Sequence, residues 1–131
     1  MARITLARTN DRPLQFDGKL LAEACTKATS GPGQNRWWDL KLYGTDDGSY
    51  VCAAGYRTTW QGEQEYDELT TTSDPDAVAN WFQGIQLALR VFGYPKGPQY
   101  RDRQNRLMKQ LQSELDTGVT EILSILPPEK L

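Results

Sequence analysis

At 131 residues, with 38% apolar and 24% charged residues, the chain has the size of one domain and enough length to bury a core without disulfides or a structural metal. A formal net charge of −2 excludes the overall basic balance of a general duplex-binding protein and leaves room only for a local basic face. There is no histidine, so Ser-His-Asp and Cys-His machinery and His-ligated zinc are excluded, and the enzymatic options narrow to carboxylate, lysine or carboxylate-bound Mg²⁺ or Ca²⁺ chemistry.

No apolar run approaches the ~20 residues of a bilayer span, and the stretch Met1 to Arg8 is too short and too interrupted for a signal peptide; a cytoplasmic chain without membrane contact is expected. Cys25 and Cys52 fall inside an expected helix and an expected strand, and read as reduced packing residues rather than a disulfide.

In chain order, Ile4 and Leu6 alternate with Thr5 and Ala7, which predicts a short strand over 3–9. Asn10-Asp11-Arg12-Pro13 supplies a turn, and 13–16 returns as a second short strand. Asp17 then reads as the N-cap of a helix running to about Thr29, with Leu20, Leu21, Ala24, Cys25 and Ala28 as its apolar stripe. Ser30-Gly31-Pro32-Gly33 ends it.

From Arg36 to Thr72 the pattern predicts a three-strand antiparallel meander. Its first strand sets Trp38, Leu40 and Leu42 on one face and Trp37, Asp39, Lys41 and Tyr43 on the other. Gly44 to Gly48 makes a hairpin loop. The second strand, 49–60, places Tyr50, Cys52, Ala54, Tyr56, Thr58 and Trp60 opposite Val51, Ala53, Gly55, Arg57 and Thr59, with small central residues that suit close approach. Gln61-Gly62 turns the chain into the third strand, 63–72.

Asp74-Pro75-Asp76 is a strong helix start, followed by a stripe of Val78, Trp81, Phe82, Ile85, Leu89 and Phe92 that stops at Gly93-Tyr94-Pro95. After Lys96-Gly97-Pro98 a long final helix spans about 99–126, with a kink or break expected near Asp116-Thr117-Gly118. The predicted order is β-β-α-β-β-β-α-α: a single α+β domain over 1–131, an antiparallel sheet with helices on one face.

Four features suggest surfaces. Leu107, Leu111, Leu115 and Ile122 form a stripe on a helix of roughly 40 Å, longer than a small domain is wide, and either pair with a second copy or fold back on the sheet. Lys96, Arg101, Arg103, Arg106 and Lys109 cluster at the start of that helix, as a phosphate or nucleic-acid site or as a solvated face. Glu63, Glu65, Asp67, Glu68, Asp74 and Asp76 form an acidic run that protects an edge strand, docks a basic partner or holds a divalent cation. Trp37 beside Arg36 and Lys41 stacks on a base or planar ligand, or is covered.

The leading expectation is a non-enzymatic binding module acting through protein contact as a homodimer, with no cofactor and no metal site assigned. The alternative is a nucleic-acid-binding regulator using Arg101, Arg103, Arg106, Lys109 and Trp37, and the third is a carboxylate- or Mg²⁺-dependent enzyme.

Overall fold

The computed structural model describes residues 2–26, 36–59, 65–85 and 98–126, without the side chains of 98–105, 107, 108 and 111. Five strands, β1 (Ala2–Arg8), β2 (Asp11–Cys25), β3 (Arg36–Thr45), β4 (Tyr50–Thr58) and β5 (Tyr66–Thr72), precede two helices, α1 (Pro75–Gln83) and α2 (Pro98–Leu123). Each strand pairs antiparallel with the next in chain order, which makes an up-and-down meander of an α+β protein.

The register of β3 on β4 follows from the alternation of their side chains. Trp38 opposes Tyr56, Leu40 opposes Ala54 and Leu42 opposes Cys52, and all six are buried on the face that the helices cover. Val78 and Phe82 of α1, with Ile85 beyond it, and Leu115, Val119 and Ile122 of α2 complete this core. Each fully buried large side chain of this set contributes on the order of 1.5–3 kcal/mol. Trp38 and Tyr56 meet edge to face at 5.5 Å.

The segment 17–29, expected as a helix, is instead the second half of β2 as far as Cys25, so the order among the described residues is five strands and then two helices. Leu14, Phe16, Gly18 and Leu20 share the register of β1 and Tyr43, whereas Ala22 and Ala24 oppose Leu42 and Leu40, and the register slips between Leu20 and Ala22. A β-bulge at Leu21 therefore switches the strand's alternation from one face to the other. A period-two pattern with one such switch produces apolar residues at successive and fourth positions, which is the signature of a helix stripe. Asp17, expected as an N-cap, uses its backbone carbonyl to accept from Asp46 N–H at 3.0 Å. The rest of that expected helix, 27–29, lies outside the described residues, as does the following loop.

β2 is long because it serves two partners. Its first half pairs with β1 and its second with β3, and at Gly18, where they meet, the strand touches β3 so closely that a Cβ would run into the Gly44 carbonyl oxygen. From this point the β1–β2 hairpin arcs over the inner face of the sheet, away from the helices. Phe16 lies edge to face on Tyr43 at 5.5 Å, and Tyr43 and its partner Val51 are buried there. At the hairpin's tip Asn10 adopts φ 62, a conformation that asparagine tolerates, and delivers Thr9 to the outer edge of β5.

Both helices depart from the expected bounds. Asp74 accepts from Asp76 N–H at 3.0 Å and Pro75 opens α1 as expected, but the helix ends at Gln83, where Gly84 caps it and donates to the Asn80 carbonyl at 3.0 Å. Leu89, Phe92 and the expected stop at Gly93 lie outside the described residues. α2 runs unbroken through Asp116-Thr117-Gly118 for 26 residues. Gly118 is there for contact: a Cβ on it would stand 3.1 Å from Leu40 Cδ1 and 3.5 Å from Thr26 Cγ2, so its absence lets the helix sit directly on the sheet. Among the described residues no helix is long and apolar enough to cross a membrane.

Candidate functional site

The inner face of β3, β4 and β5 is polar beneath the β1–β2 arm, whose Thr5, Leu6 and Ala7 approach it. Strand alternation brings Asp39 and Lys41 of β3, Arg57 of β4 and Asp67 of β5 onto this face, around a cavity of about 150 Å³ floored by Ala53 and Gly55 and flanked by Leu6 and Leu69. The small residues in the middle of β4 make the space. A Cβ on Gly55 would come within 2.8 Å of the Arg57 guanidinium, so glycine leaves room for that side chain to lie across the strand.

Arg57 is fixed in this position by Asp67, with Nη2 to Oδ1 at 2.7 Å and both side chains about a quarter to a third exposed. Burial pushes the guanidinium pKa down, but the hydrogen bond and charge of Asp67, with Asp39 and Glu65 behind it, outweigh that and hold it above its ordinary value. The group is a permanent cation. Asp39 and Lys41, two residues apart on β3, carry opposite charges, so the cavity's four charged groups sum to zero. Burial also raises the pKa of Tyr43, an effect that Lys41 partly offsets and that Asp39 and Glu23 reinforce.

A second recess of about 360 Å³ lies against the outer edge of β5, lined by Arg8, Thr9, Asp11, Asp67, Glu68, Leu69 and Trp81. Three consecutive β5 residues line it, which marks it as following the strand's backbone rather than one of its faces. At one end the hairpin tip closes it: Thr9 N–H donates to the Asp67 carbonyl at 2.9 Å, and Asp67 N–H donates to Thr9 Oγ1 at 2.7 Å. Trp81, half-buried and edge to face with Phe82 at 5.1 Å, forms its wall on the α1 side.

The expected site residues fall in separate places. Leu115 and Ile122, half of the stripe read as a contact between copies, are 1% and 0% exposed in the chain's own core. The side chains of Leu107 and Leu111 lie outside the described ones. Arg106 and Lys109 are exposed on α2, the side chains of Arg101 and Arg103 are outside the description, and Lys96 lies outside the described residues altogether. Trp37 opposes Arg57 and so sits on the inner face, whereas Leu115, Val119 and Ile122 of α2 pack on the outer one.

In the acidic run, Asp67 is ion-paired with Arg57, Glu65 accepts from Thr58 N–H at 3.3 Å, Asp74 caps α1, and Glu63 is outside the described residues, as is Trp60. Among the described residues no three acidic or cysteine side chains gather as metal ligands. Cys25 is exposed and Cys52 buried, both as free thiols, and burial pushes the Cys52 thiol up to about 12.

Sequence reasoning singled out Asp67 but missed its partners. Arg57 was visible only as a residue on the Val51 face of the second strand, Gly55 only as a close-approach residue, and Thr9 not at all, because its contact depends on how far the β1–β2 arm curls. No family model, curated protein or solved structure matches the chain.

Proposed function

We propose that this chain is a non-enzymatic, cytoplasmic binding module that acts through contact with another protein. The observation that supports the reading is the size and setting of the charged cavity. At about 150 Å³ it falls below the ~300–1,000 Å³ of sites that enclose a free small molecule, and it adjoins an open strand edge. A space of this size takes one side chain of a larger ligand, and the ion-paired Arg57 gives it a preorganised polar wall. Free thiols at Cys25 and Cys52 accord with a reducing compartment.

Self-association through α2 has less support, because Leu115 and Ile122 are already covered by the chain's own sheet and by α1. Native mass spectrometry of the tagged chain purified from its own cells separates the readings. A protein partner released in stoichiometric amount is the expected result. A copurifying small molecule or nucleic acid, or a chain that runs alone, overturns it.

A further inference from the structure

The open edge of β5 identifies the form in which a partner is recognised. Asp67 directs its N–H and C=O away from β4, toward Thr9, so the alternation of an antiparallel strand directs those of Leu69 and Thr71 the same way. Among the described residues nothing bonds to these next rungs, and Thr71 is exposed. Thr9 thus occupies the first position of an added strand, and no described residue takes the following ones. The recess along this edge and the inner-face cavity lie on either side of the vacant rungs, where alternate side chains of an added strand would point.

Charge decides between occupants. From Thr58 to Leu89 the sequence has six acidic residues and no lysine or arginine. A second copy pairing β5 to β5 about a twofold axis brings only another strand with Asp67, Glu68 and no lysine or arginine, and so adds no opposite charge to this edge. A basic strand meets the opposite sign, because the recess is lined by Asp11, Asp67 and Glu68 against Arg8, with Trp81 on its α1 side. We propose, resting on the protein-binding reading above, that β5 binds an extended lysine- or arginine-bearing segment of a partner protein by strand addition at Leu69 and Thr71, beyond the rung that Thr9 fills.

The test is a phage-displayed random decapeptide library panned on the full chain at low salt, with the enriched sequences made as synthetic peptides. The expected peptides are basic, bind more weakly as salt rises, and slow amide exchange at Leu69 and Thr71 in ¹⁵N-labelled protein. Thr71→Pro removes an outward N–H that β4 does not use, and should weaken binding about tenfold, the loss of one backbone hydrogen bond. If that variant fails to fold, protection of the two amides in the wild-type protein decides the matter. Enrichment of acidic or helical peptides, protection elsewhere on the surface, or no enrichment at all overturns strand addition. The protein-binding reading itself stands or falls separately, on the native mass spectrum.

Discussion

Thr9 and Asp67, 58 residues apart in sequence, exchange two hydrogen bonds, one between backbone groups at 2.9 Å and one from the Asp67 amide to the Thr9 hydroxyl at 2.7 Å. This contact joins the tip of the β1–β2 arm to the last strand of the sheet. It closes the curl at one point, sets the roof of the charged cavity, and defines where the open edge of β5 begins.

Thr9→Val keeps the shape of the side chain and removes the acceptor of the Asp67 amide. A loss of about 1 kcal/mol is expected, read as a lower urea midpoint with an unchanged slope. An unchanged midpoint would mean that the arm does not hold this contact in solution.

Gly18→Ala places a methyl group against the Gly44 carbonyl, and backbone there cannot rotate away as a side chain would. The bend of β2 must open, with an expected cost of about 2–3 kcal/mol. Gly118→Leu should cost a similar amount by lifting α2 from Leu40, whereas Gly118→Ala stays within about 1 kcal/mol of wild type, because gained helix propensity offsets the tight contact. Thermal melts of the three variants give the ranking.

These two glycines also show what could be read from the chain alone. The faces of β3 and β4 and the capped start of α1 follow from alternation and from Asp74-Pro75, local signals that tertiary contacts did not override. β2 was misread because the bulge at Leu21 turns an alternating strand into an imitation of a helical stripe, and Gly18, the residue that allows the bend, sat inside the expected helix. Gly118 looked like a helix breaker because nothing local shows that Leu40 and Thr26 lie beneath it. The cavity was illegible for the same reason: Asp39, Lys41, Arg57 and Asp67 come from three strands, and only their register brings them together.

Arg57→Met leaves Asp67 without its cation in a partly buried setting. Since both groups retain some exposure, about 1–2 kcal/mol is expected rather than the larger loss of a fully buried pair. Asp67→Asn with Arg57→Met should recover part of it in a double-mutant cycle, and simple additivity would show that the pair does not interact.

Cys52 should resist alkylation at pH 8 while Cys25 reacts within minutes, since one thiol is buried and the other exposed. The Cys52 thiol stands at about 12 in the folded protein against an ordinary 9.0, so the unfolded chain loses this proton first. Its contribution to stability is complete below about pH 9 and is lost as pH rises toward 12, with Tyr43 adding a loss of the same sign above its ordinary 10.0. Cys52→Ala should flatten the pH 9–10 limb of the stability curve; an unaltered limb would place its origin elsewhere.

Amide hydrogen exchange on the unliganded ¹⁵N-labelled chain tests the β5 edge most directly. Slow exchange at Asp67, together with fast exchange at Leu69 and Thr71, is the result expected of an arm that fills one rung and leaves the next two vacant. Fast exchange at Asp67, or protection of Leu69 and Thr71 equal to that of Glu68 and Thr70, would contradict it.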